Sequence, residues 1–77
     1  MEEIMEMDRG LIGLILGQFK SQRAFAERIG WTPQKLNKIL NRIQEPTIPE
    51  VQEIAEGLGV PFVLVAKFFM AQKSRNR

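Results

Sequence analysis

Residues 21–41 read SQRAFAERIGWTPQKLNKILN, and the rest of the chain is arranged around them. The spacing predicts two short helices joined by a tight turn at Gly30. Phe25, Ala26 and Ile29 share one face of the first helix at spacings of three and four. Ala26 is small at the centre of that face, where a second helix can approach closely. Gly30 ends this helix at a point where the backbone often needs a positive φ. Thr32 can cap the next helix through its hydroxyl, and Pro33 suits the first turn because it has no N–H to leave unpaired. Leu36, Ile39 and Leu40 give that second helix, about residues 33–41, its buried face. Gln34, Lys35, Asn37, Lys38 and Asn41 remain outward. That face is polar, basic and free of acids, as suits a helix entering a DNA groove.

Working outward, the 77 residues make one small domain with a single modest core. At 44% apolar and 26% charged the composition is that of a globular chain. There is no cysteine and no histidine. Disulfides and cysteine zinc sites are therefore excluded, and the commonest metal ligand and general base are missing. No enzyme, no metal and no cofactor are expected. The start is acidic where a secretory leader is basic. The longest near-apolar run, residues 60–71, holds about twelve residues including Lys67, too short to span a membrane. A cytoplasmic location is the simplest expectation.

The net charge of +2 conceals an asymmetry. Residues 1–8 contain four acids and no base, so residues 9–77 hold eleven bases against five acids. Six bases (Lys20, Arg23, Arg28, Lys35, Lys38, Arg42) and one acid, Glu27, lie within residues 20–42. Residues 45–56 have four acids and no base. A basic helix pair beside an acidic helix suggests that one face meets a polyanion and another does not. Scattered surface charge is the plainer alternative.

Residues 1–8 read as an acidic arm with weak helical spacing, disordered or extending the first helix. Asp8 is a candidate N-cap for helix 1, about residues 9–17, with Leu11, Leu14 and Ile15 inward. Gly10, Gly13 and Gly17 weaken that helix intrinsically and could mark close helix approach. Thr47 and Glu50 have the spacing of a capping box at the start of helix 4. Val51, Ile54, Ala55 and Leu58 form its inner stripe, Glu53 and Glu56 face solvent, and Gly57 and Gly59 terminate it. Helix 5, from about Pro61 to Ala71, has almost no polar face. A homodimer contact through Phe62, Val65, Phe68 and Phe69 is expected; the alternative is that both sides are covered within the monomer. The basic tail, residues 72–77, could make a second electrostatic contact.

With these features assembled, the segment resembles the helix-turn-helix of the phage repressor/Cro (Xre-like) family. Counting Gln22 as the first position of that family's twenty-residue motif puts Ala26 fifth, Gly30 ninth and Leu36 fifteenth. Phe25, Ile29, Trp31 and Ile39 fill its apolar positions, and PTIPEVQEIAEGLGVP resembles the family's fourth helix and the turn after it. The likeness covers roughly residues 9–70. It implies an all-α, compact five-helix, lambda-repressor-like domain over residues 9–71 that binds double-stranded DNA. It also implies that Gln22 contacts a phosphate and braces the recognition helix, the alternative being a plain first-turn polar residue. Arg23 and Lys20 would add phosphate attraction. Asn41 matches a family asparagine in the loop, and Arg42 stands where relatives often have glycine; both are candidate phosphate contacts, a solvated arginine being the alternative for Arg42. Pro33 departs from the family pattern, occupying a position where relatives carry a base-reading side chain. Base reading therefore falls to Gln34, Lys35 and Lys38, with Asn37 alongside. Trp31 reads as core or half-buried in preference to a binding surface. The function implied is a small transcriptional repressor of phage or mobile-element type. An antitoxin-like protein docking a partner through helix 5, and an interaction module without DNA binding, are the alternatives.

Overall fold

The computed structural model describes the backbone of residues 2–75 and the side chains of residues 10–70. Five helices follow one another: α1 (Glu2–Gln18), α2 (Gln22–Arg28), α3 (Pro33–Leu40), α4 (Ile48–Leu58) and α5 (Phe62–Arg75). No strand occurs among the described residues. The fold is the expected all-α, five-helix architecture.

Helix starts are set by side chains that satisfy otherwise orphaned N–H groups. The Ser21 hydroxyl accepts from the Ala24 N–H at 3.1 Å, and the Thr32 hydroxyl from the Lys35 N–H at 3.1 Å. At α4 the capping box is complete. The Glu50 N–H donates to the Thr47 hydroxyl at 3.2 Å, and the Thr47 N–H donates back to Glu50 Oε1 at 2.9 Å. The ends of α2, α3 and α4 share one device. The N–H of Trp31 reaches the Ala26 carbonyl, that of Ile43 the Lys38 carbonyl and that of Val60 the Ala55 carbonyl. Each spans five residues and requires a left-handed residue just before it. Gly30 (φ 82°) and Gly59 (φ 72°) supply it at two ends, and Arg42 (φ 63°) at the third.

All five helices contribute to one core. It contains Leu11 and Ile15 of α1, Phe25 and Ala26 of α2, Leu36, Ile39 and Leu40 of α3, Val51, Ile54, Ala55 and Leu58 of α4, and Val65 of α5. Trp31 joins it from the turn, confirming the core reading of that residue. Ala26 is fully buried, as its place on the inner face required. Gln18 ties α1 to the end of α4, its side-chain amide donating to the Leu58 carbonyl at 3.0 Å.

Four expectations change. First, α1 begins at Glu2, so Asp8 lies inside the helix and not at its cap. Second, Gly57 lies within α4 and does not end it. A Cβ there would stand 2.5 Å from Ile29 Cγ2 and 2.9 Å from Phe25 Cε1, so glycine permits the approach of α2 to α4. Third, α5 continues past Ala71 to Arg75; the side chains of the 72–77 tail lie outside the described residues, as do those of the 1–8 arm. Fourth, the proposed dimer residues of helix 5 do not share one exposed face. Val65 is fully buried inside the single chain and is unavailable to a second copy. The Phe68 ring packs on α1 at Gly10, while Gly13 and Gly17 face open space. Phe62 and Phe69 do stay half-exposed. Helix 5 is apolar on several sides because it meets both α1 and α4.

Candidate nucleic-acid interface

The apolar residues of α3 point into the core, which leaves Gln34, Asn37, Lys38 and Asn41 as an exposed stripe at spacings of three, four and seven. Gln34 and Lys38 project from successive turns into solvent. Asn41 closes α3 as its C-cap, its side-chain amide donating to the Asn37 carbonyl at 2.9 Å. It is the backbone carbonyl of Asn37 that accepts this bond, so the exposed side-chain amide of Asn37 is not used by it. No acid lies in α3.

Lys35, expected among the outward readers, is held sideways. Its Nζ is 3.0 Å from Glu50 Oε2 and 4.4 Å from the centroid of the Trp31 ring. It is half-buried. Glu50 therefore accepts from two directions. The Thr47 backbone N–H, and then Lys35, hold its carboxyl below the ordinary carboxylate value. Glu53, expected only to face solvent, accepts from the Trp31 indole N–H at 2.6 Å. Sequence reasoning missed both roles, because residues 31 and 53, or 35 and 50, become neighbours only when α4 crosses α3.

At the start of α2, Gln22 is half-buried and Lys20 and Arg23 are exposed. Arg23 has an i,i+4 ion pair with Glu27 at 3.5 Å, open to solvent and so easily exchanged for a phosphate. Arg42, expected with Asn41 to approach phosphate beyond α3, turns its side chain inward. Its Nη1 donates to the Leu40 carbonyl at 2.9 Å, and its guanidinium lies 5.0 Å from the Phe69 ring centroid. Its backbone has φ 63°, a conformation that glycine adopts freely, which agrees with the glycine that the family resemblance implies at this point.

The chain therefore presents two helices with an αL turn between them, the second capped, apolar inside and uncharged or basic outside. A family model described as helix-turn-helix matches residues 20–65, from just before α2 into α5. The chain belongs to the Xre-like helix-turn-helix family. Xre-like proteins are DNA-binding transcription regulators and generally not enzymes. Within this Xre-like domain, no group of three or more potential metal ligands occurs among the described residues. No helix among them is long and apolar enough to cross a membrane. No curated protein and no solved structure matches the chain.

Proposed function

We propose that this Xre-like protein is a sequence-specific repressor of phage or mobile-element type, acting by occupying double-stranded operator DNA. The exposed stripe of α3 is the observation that supports this most directly. Gln34 and Asn37 can pair bidentately with adenine, and Lys38 can reach guanine O6/N7 or a phosphate. Gln22, Lys20 and Arg23 would fix the register on the phosphates, where the N-terminus of a helix also favours an anion. Asn41 would approach the backbone from the far end of α3.

The reading includes a homodimer, with its contact moved from the buried Val65 to a groove between α4 and α5. The groove has a volume of about 420 Å³, and its walls include Ile48, Phe62, Phe69 and Met70. Ile48 is 74% exposed and Met70 65%, and Val63, one helical heptad before Met70, is 62% exposed. Paired recognition helices about 34 Å apart would then read half-sites one turn apart. The same apolar groove is what would favour an antitoxin-like role, with another protein in place of the second copy.

The test is selection from a randomised duplex pool at two salt concentrations. An enriched motif with inverted symmetry, weakened steeply by salt, is the expected result. Retention that is neither enriched nor salt-sensitive would remove DNA reading. A stable complex with a different protein, formed at the expense of DNA binding, would favour the antitoxin-like alternative.

A further inference from the structure

The exposed stripe accounts for what α3 can touch, but not for what fixes its rotation. α3 has only eight residues, little more than two turns. Leu36, Ile39 and Leu40 hold its depth, yet apolar contact is non-directional and constrains roll weakly. Among the described residues, the directional side-chain contacts that α3 and the turn before it receive from another helix come from the first two turns of α4. Glu50 and Glu53 stand three residues apart there and share a helical face. Glu53 takes the indole N–H of Trp31, at the turn before α3, and Glu50 takes Lys35, in its first turn. Lys35 also covers the Trp31 ring, so the four side chains close on one another. Glu50 is itself immobilised, because its other oxygen is occupied by the capping box.

We propose that Lys35 and Glu50 are positioning residues, which set the orientation of α3 on DNA by clamping it to the capped start of α4. This rests on the reading that α3 binds duplex DNA. Lys35 then contacts neither base nor phosphate. To do so it would have to leave the Glu50 carboxylate and the Trp31 ring together. The lysine side chain is 36% exposed and that of Glu50 18%, so the pair is partly shielded from solvent and more persistent than an open surface pair.

Glu50→Gln tests the clamp by sign. Glutamine still accepts from the Thr47 N–H, so the capping box survives and only the pairing charge is removed. Loss of an acid beside a polyanion site would by itself tighten DNA binding, and a released Lys35 would tighten it further. The clamp gives the opposite result. Affinity for the selected operator should fall about three- to tenfold, with base preference unchanged and the salt slope altered by much less than the ~0.9 of one phosphate contact. Lys35→Met should do the same, the double variant should be no weaker than the weaker single, and Lys35→Arg should restore binding. All are compared with the parent at a temperature where circular dichroism shows each fully folded, so stability loss alone leaves affinity untouched.

Tighter binding by Glu50→Gln, or a steeper salt slope, would make Lys35 a phosphate contact and overturn the clamp. Loss of discrimination at a single base pair in Lys35→Met would make it a base reader, with the same consequence. Parental affinity in both folded single variants would reduce the cluster to a stability feature. Failure of the parent chain itself to select any duplex is a separate result: it removes the DNA reading, and the clamp's role with it.

Discussion

Gly57→Ala separates helix propensity from packing, because the two predict opposite signs. In an exposed helix the substitution stabilises by up to about 1 kcal/mol. In α4 the new Cβ would lie 2.5 Å from Ile29 Cγ2 and 2.9 Å from Phe25 Cε1, against an ordinary contact of 3.4–4 Å. The shortfall is therefore near 1 Å for one neighbour. Neither can swing aside easily. The Phe25 ring is fully buried, and Ile29 Cγ2 is attached directly to its own Cβ. Relief requires α2 to shift, and overpacking of this kind costs about 1–3 kcal/mol. Set against the propensity gain, the net effect is a loss of up to about 2 kcal/mol, which in a domain of this size lowers Tm by up to roughly 15 °C. Gly13→Ala is the control, since a Cβ there meets nothing within 4 Å and should raise Tm by a few degrees, to order of magnitude. Thermal and urea melts followed by circular dichroism read both. A rise in Tm for Gly57→Ala comparable to that for Gly13→Ala would refute the argument that α2 and α4 are in hard contact there.

Gln34→Ala should relax preference at one base position at a cost of about 1–3 kcal/mol against the cognate base, whereas Lys38→Ala, if that lysine meets phosphate, should weaken all sequences alike and reduce the salt slope by about 1; operator-variant titrations distinguish the two. The Glu50 carboxyl is held below its ordinary value of 4.5, so its contribution to stability is complete above that pH and is lost as pH falls through the lowered value. The gap in urea midpoint between the parent chain and Glu50→Gln should accordingly be wide near neutrality and narrow as the pH is taken below the lowered value; a gap of constant width would contradict the pairing. Met70→Glu and Val63→Glu should leave each chain helical by circular dichroism, because both sites are exposed in the single chain, yet lower the mass measured by ultracentrifugation to that of one chain. A mass already that of one chain before substitution, at micromolar concentration, would remove the homodimer.

The helix pair was legible because its signals are local. Ser21, Thr32 and Thr47 cap the helices that follow them, and Gly30 turns the chain at the one point between α2 and α3 that requires a left-handed backbone. A hydroxyl capping an N–H three residues away needs no knowledge of the rest of the molecule. The stripe of Gln34, Asn37 and Lys38 was legible for the same reason, since helical spacing fixes which side chains oppose Leu36, Ile39 and Leu40. Arg42 was readable only in part. Its place in the loop was clear, but the inward turn of its guanidinium depends on Phe69 being beneath it.

Helix spacing and capping chemistry thus determined, from the sequence alone, the order of the helices and the outward face of α3 except for Lys35, while the family followed from the resemblance of the helix pair to the Xre-like motif. The tertiary structure decided how those helices touch. It buried Val65 and left Met70 exposed, although both are apolar residues of the same helix, because α5 rests on α1 and α4 along particular lines. It made Gly57 a point of contact instead of a helix end, and it joined Lys35 to Glu50 and Trp31 to Glu53 across fifteen and twenty-two residues of chain. Contacts between residues that distant depend on how whole helices cross, and no periodicity within either helix encodes the crossing.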